Sequence, residues 1–259
     1  MFDFLLASAS LCRRELVRFI RQRNRVIGAL ATPIVFWLLI GTGMGKSFSS
    51  PDGSNPGYLT YFFPGTILMI LLFTAIFSTI SIIEDRREGF LQGVLIAPVG
   101  SEAMVIGKIV GGAILATVQA SLFLGLGYVT GIVGYSTVSL LWSLGLMGMI
   151  SLGLTGLGLM IAWRMSSTQG FHAVMNLFLM PLWFLSGAIF PLRDDTPQLL
   201  KLVVLANPLH YALTSLRAGL IPGLPEWPVG SIGITVAFAG AMIGLSVWIA
   251  RQRVSSDYQ

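Results

Sequence analysis

The stretch IVGGAILATVQASLFLGLGYVTGIVGYSTVSLLWSLGLMGMISLGLTGLGLMIAW, residues 109–163, carries no acidic or basic side chain over 55 residues. One helical crossing of a bilayer takes about 20 apolar residues, so this stretch is long enough for two. The break between them falls at Gly131-Ile132-Val133-Gly134-Tyr135-Ser136, where Gly and Ser cluster. Spans are therefore expected at 107–130 and 138–163. Working outward, other charge-free runs place spans at 26–45, 62–83, 169–190 and 229–250. The reading is an all-α membrane protein with six transmembrane helices, folded as one domain over 1–259. Composition agrees: 54% of residues are hydrophobic and 10% charged, where a soluble domain carries about 25% charged residues. Mean hydropathy is +0.81. These values exclude a soluble globular enzyme, a disordered tail and a disulfide scaffold, and Cys12 has no second cysteine to pair with.

The charge balance, 16 basic against 11 acidic residues, is read as topology rather than as nucleic-acid affinity. With the N-terminus inside, the cytoplasmic face holds Arg13, Arg14, Arg18, Arg21, Arg23, Arg25, Arg86, Arg87, Lys108, Arg164, Arg251 and Arg253. The outer face holds only Lys46, Arg193, Lys201 and Arg217. Six spans put both termini on one side, and this charge bias makes it the cytoplasm; the membrane expected is the plasma membrane of a bacterium (its inner membrane). The basic stretch before the first apolar run is too long for the leading region of a signal peptide, so retention of that first span is expected.

Three segments are more than spans. Residues 1–25 form an amphipathic helix: Leu5, Ala9, Cys12, Leu16 and Phe19 recur at helical steps, and Arg14, Arg18, Arg21 and Arg25 recur opposite them. Such a helix lies in the membrane interface with its arginines toward water and lipid headgroups. The connection over 84–104 is longer than a turn between spans requires. It reads Glu84-Asp85-Arg86-Arg87-Glu88-Gly89-Phe90-Leu91, then an apolar run to Ala97-Pro98, with Ser101 as an N-cap and Glu102 as a first-turn acid. The outer segment 191–228 has a polar turn, an apolar stretch too short to span, and Asn207-Pro208, and reads as a re-entrant or interfacial helix pair.

Glu84, Arg87, Glu88, Gly89, Leu91, Leu95 and Pro98, followed by Gly107-Lys108, resemble a motif of the ABC-2 type transporter permeases. Asn207-Pro208-Leu209-His210-Tyr211 with Leu216-Arg217 resembles a second motif. Phe90-Leu91-Gln92-Gly93 departs from the Thr-Leu-Glu more usual there. The resemblance implies an exporter permease that pairs as a homodimer and binds two copies of a separate ABC ATPase. It implies that Glu84, Arg86, Arg87, Glu88, Gly89, Leu91 and Pro98 form a cytoplasmic coupling helix against that ATPase. The expected cargo is amphipathic: a drug, a lipid or a lipid-linked glycan. The alternatives are a secondary transporter, which would carry mid-span ionisable groups, and a membrane-embedded enzyme, which would need convergent His, Asp or Glu side chains.

One further feature stands apart from that resemblance. Gln169, His172 and Asn176 share a face of the fifth expected span and must avoid bare lipid. They either tie helices together by hydrogen bonds or line a translocation path continued by Met180 and Trp183. No metal or cofactor site is expected. The P-loop-like Gly41-Thr42-Gly43-Met44-Gly45-Lys46-Ser47 has Ile40 where that motif needs its first glycine.

Overall fold

The computed structural model describes residues 2–44, 57–90, 93, 100–134, 136–192, 196–221 and 228–256. Among these, ten helices and no strand occur: α1 (Phe2–Arg21), α2 (Arg23–Gly43), α3 (Gly57–Ser78), α4 (Ile80–Arg87), α5 (Gly100–Val129), α6 (Thr137–Ala162), α7 (Thr168–Phe184), α8 (Gln198–Ala206), α9 (Pro208–Leu220) and α10 (Val229–Ser256). Five stretches are long and apolar enough to cross a membrane: Val26–Gly43, Gly57–Arg87, Ser101–Val129, Thr137–Ala162 and Val229–Gln252. The expected fifth span is the 17-residue α7, at the short end of the range for a crossing. Helices α8 and α9 meet at an 80° bend.

Helix α3 is the hub. It is apolar on every side, and its spanning stretch is 89% buried, as befits a helix surrounded by others. The first crossing in α2 and the last in α10 are only 17% and 22% buried. Across Thr79, α3 passes into α4. There the hydroxyls of Ser78 and Thr79 donate back to the carbonyls of Ala75 and Ile76, both at 2.6 Å, a pattern that bends helices. Gly131, in the break expected between α5 and α6, has φ +72°.

Close packing explains part of the glycine pattern. A Cβ at Gly153 would lie 3.0 Å from Ala239 Cα, and one at Gly156 3.0 Å from the Met242 carbonyl carbon. This lets α10 lie along α6, where the Ser246 hydroxyl donates to the Gly156 carbonyl at 2.7 Å. Gly145, Gly148, Gly240 and Gly244 meet nothing within 4 Å, so packing inside this chain does not account for them.

Helix α1 corrects the expectation for its faces. It runs against α5, and the face turned inward is Ser8, Glu15 and Phe19, all buried. Ala9, expected there, is exposed. Leu5, Leu6, Val17 and Ile20 are exposed instead, and these offer the apolar side to lipid. The approach is possible because α5 has Gly107 and Gly111 at the crossing. A Cβ at Gly107 would sit 2.7 Å from the Ser8 carbonyl oxygen. Gly107→Val is expected to cost about 1–3 kcal/mol by overpacking, read as a lower unfolding temperature in detergent. Gly125→Val, where a Cβ meets nothing within 4 Å, should leave that temperature near wild type.

Candidate functional site

The conspicuous polar feature is a buried ion cluster where α1, α4 and α5 meet. Its centre is Asp85, fully buried at the end of the α3–α4 crossing. Asp85 Oδ1 accepts from Arg14 at 2.7 Å and from Arg18 at 2.9 Å. Its Oδ2 accepts from Arg14 at 3.1 Å and from Lys108 at 2.6 Å. The Lys108 ammonium, 3% exposed, also donates to Glu15 at 2.7 Å and to Ser81 at 2.9 Å. Three donors on lysine and four lone-pair sites on the carboxylate are thus all used. Arg18 reaches outward to Glu84 at 2.8 Å and Glu88 at 3.6 Å. The hydrogen bond to Asp85 holds the Arg14 guanidinium above its ordinary value.

Sequence periodicity gave Arg14 and Arg18 to water. The structure turns them onto Asp85, because charges taken out of water need partners. Arg21 alone of that row keeps an exposed position among the described side chains. Glu15, Ser81 and Asp85 were not expected to be central. Glu15, an acid set among Arg13, Arg14 and Arg18, was the available signal.

Of the expected coupling residues, Glu84, Arg86, Arg87, Glu88 and Gly89 are brought together here. Leu91 and Pro98 lie outside the described residues. Arg86 donates to the carbonyls of Trp163 at 2.6 Å and Met165 at 3.2 Å. Arg87 donates to the Ser166 carbonyl at 3.2 Å. Both cations therefore sit at the C-terminal end of α6, where carbonyls lack helical partners. Glu88 and Gly89 are exposed. Gly89 has φ +75° just past α4, a backbone state glycine adopts without strain. The Arg14 guanidinium stacks over the Phe90 ring at 3.8 Å. Ser101 is not an N-cap, because α5 already begins at Gly100, while Glu102 does lie in the first turn.

At the opposite end of α3 a second polar group holds the turn after α7. The Gly187 carbonyl accepts from Tyr61 at 3.0 Å and Arg217 at 2.8 Å, and Arg217 lies over the Tyr61 ring at 4.2 Å. Nδ1 of His210 is 3.0 Å from the Ser186 carbonyl oxygen. Asn207 caps α9 by accepting from the Leu209 N–H at 3.0 Å, and donates to the Leu182 carbonyl at 2.6 Å. Pro208 fills the first helical position. The Asn-Pro pair is thus a helix start.

Gln169, His172 and Asn176 are all exposed on one face of α7. None of their side chains hydrogen-bonds within the chain among the described residues, so they do not tie α7 to a neighbouring helix. The His172 ring lies 5.0 Å from that of Phe77. Trp183 corrects the expected continuation of this face. It is fully buried, donates to the Gly65 carbonyl at 2.8 Å, and is covered by Phe36 and Phe62. Past Pro181 the same face meets α2 and α3 rather than open space.

Comparison with known proteins adds the family. Residues 8–221 match the ABC-2 type transporter family. The chain is 26% identical over 233 residues to nodulation protein J of Rhizobium meliloti (strain 1021), covering 88% of this chain and 86% of that one. It is 23% identical over 240 residues to the daunorubicin resistance ABC transporter permease protein DrrB1 of Streptomyces coeruleorubidus, covering 87% and 81%. With an all-helical fold and five long apolar helices, the chain belongs to the ABC-2 type transporter family and is a transport permease of an ABC transporter.

Proposed function

We propose that this permease is the membrane half of an ATP-driven exporter in a bacterial inner membrane, with both termini in the cytoplasm. Two copies of the chain pair, and each engages one of two copies of a separate ATPase. Hydrolysis belongs to that partner chain. The segment 84–98 is the coupling element, with Arg87, Glu88 and Gly89 at its described surface. The observation that carries this reading is the cluster centred on Asp85. It ties the root of the segment to α1 and α5 through charge-assisted bonds, so a push on the segment moves three helices as one body. The cargo is an amphipathic molecule such as a drug, a lipid or a lipid-linked glycan. The name of DrrB1, which assigns that relative to daunorubicin resistance, is in keeping with it.

The test is reconstitution of the chain with its ATPase in vesicles. Export should require hydrolysable ATP and persist when ion gradients are collapsed. Export driven by a proton or sodium gradient without ATP would make the chain a secondary transporter instead.

Gln169, His172 and Asn176 line the route taken by the cargo. Three exposed polar side chains without hydrogen-bond partners among the described residues would be costly against hydrocarbon, which supports a face turned to a path or to the second copy. Asn176→Ala should alter transport rate or cargo preference while dimer stability in detergent stays near wild type. Loss of stability in both Asn176→Ala and Gln169→Ala, with transport per folded dimer intact, would make the row a packing feature.

A further inference from the structure

Between the end of α1, the first half of α2 and the second half of α3 lies a cavity of about 270 Å³. Phe19, Gly28, Phe73, Phe77 and Met180 form much of its wall. Thr74 also lines it, but the hydroxyl proton of Thr74 is spent on the Gln119 side-chain oxygen at 2.5 Å. Such a wall favours a hydrocarbon occupant over a polar one. The same last turn of α1 borders a second, open cleft of about 370 Å³, lined by Arg14, Val17, Arg18, Arg21 and Gln22. Arg14 and Arg18 are held by Asp85. Arg21 is exposed and has no acidic partner among the described residues. Phe19 thus faces the apolar space while Arg18 and Arg21, its near neighbours, face the basic one. Ile20 and Ile27, 65% and 63% exposed, flank the corner with apolar surface suited to lipid.

We propose that this α1–α2 corner binds one anionic phospholipid of the surrounding bilayer, with its phosphate at Arg21 and Gln22 and an acyl chain in the cavity. The charge of the cleft selects an anionic head, since guanidinium groups pair with phosphate in a fork geometry. The apolar cavity requires the chain, so a free phosphate does not satisfy the site. The assignment needs only the membrane setting and does not depend on the coupling role or on the exported cargo.

Gly28 gives a clean probe. It lines the cavity, and a Cβ there meets nothing within 4 Å, so Gly28→Leu can branch from the backbone without strain and fill space that an acyl chain would use. The full-length chain in detergent is titrated with dioleoyl phosphatidylglycerol or dioleoyl phosphatidylcholine and weighed by native mass spectrometry. Wild type should retain one phosphatidylglycerol per chain, preferred over phosphatidylcholine by about fivefold or more. Arg21→Ala should bring that preference below about twofold, and Arg21→Lys should keep most of it. Gly28→Leu should weaken retention of both lipids about tenfold, and millimolar inorganic phosphate should not displace the bound lipid. Equal retention of the two lipids by wild type, or unchanged retention by Gly28→Leu, would overturn the proposal. Displacement by phosphate alone would overturn it too, by removing the role of the chain. A wild-type dimer that Gly28→Leu turns into monomer would make the cavity a seat for a second copy, and would likewise overturn it.

Discussion

Asp85→Ala should be the most damaging single substitution at the end of this protein where α1, α4 and α5 meet. It removes an acceptor that takes four charge-assisted bonds, from Arg14 twice, Arg18 and Lys108. Lys108, 3% exposed, would keep Glu15 but lose its shortest bond. Breaking a buried pair by deleting one partner typically costs about 3–5 kcal/mol, because the charge left behind stays out of water. For a chain of this size that corresponds to roughly 10 °C in unfolding temperature. The measurement is thermal unfolding of the purified permease in one detergent, beside Arg13→Ala as a surface control. Arg13 is exposed, so its loss should leave the transition within a degree or two of wild type. An Asp85→Ala protein as stable as wild type would show that the cluster does not hold the three helices together.

The second large effect concerns function rather than stability. Glu88→Lys should reduce cargo-stimulated ATP hydrolysis by about tenfold or more in the permease–ATPase complex, with the permease still inserted at normal levels. The Glu88 side chain is 61% exposed and makes only a 3.6 Å pair with Arg18, so reversing its charge disturbs little inside the chain. Exposed pairs of this kind are worth about 0–1 kcal/mol. Arg87→Glu should have the same functional outcome but adds a local cost, since its carboxylate would face the carbonyl end of α6 that Arg87 now serves. Glu88→Lys is for that reason the cleaner variant. Normal stimulation in both would remove Arg87 and Glu88 from the contact with the ATPase.

The crossings were legible because lipid selects long runs without charge, and residues 109–163 leave no other use for so many apolar side chains. The break before α6 was legible from glycine and serine, and the start of α9 from Asn207-Pro208. The inward face of α1 was not. Local periodicity sorts residues into apolar and charged sides, but Arg14 and Arg18 take their direction from Asp85, 71 and 67 positions along the chain. Lys108 was visible as part of a motif, yet its burial against Glu15 depends on how closely Gly107 lets α1 approach. Trp183 went the other way. It continues the exposed row of α7 by spacing, but α2 and α3 close over it. In each case the missing information was which element lies opposite.

Site-specific photocross-linking in the assembled permease–ATPase complex tests the coupling role and the orientation together. A cross-linking residue is placed at Glu88, beyond α4, and separately at Val129, which is 87% exposed at the far end of α5. The expected result is an adduct with the ATPase from position 88 and none from position 129. An adduct from 129 and none from 88 would contradict both the coupling assignment and the cytoplasmic placement of the ion cluster.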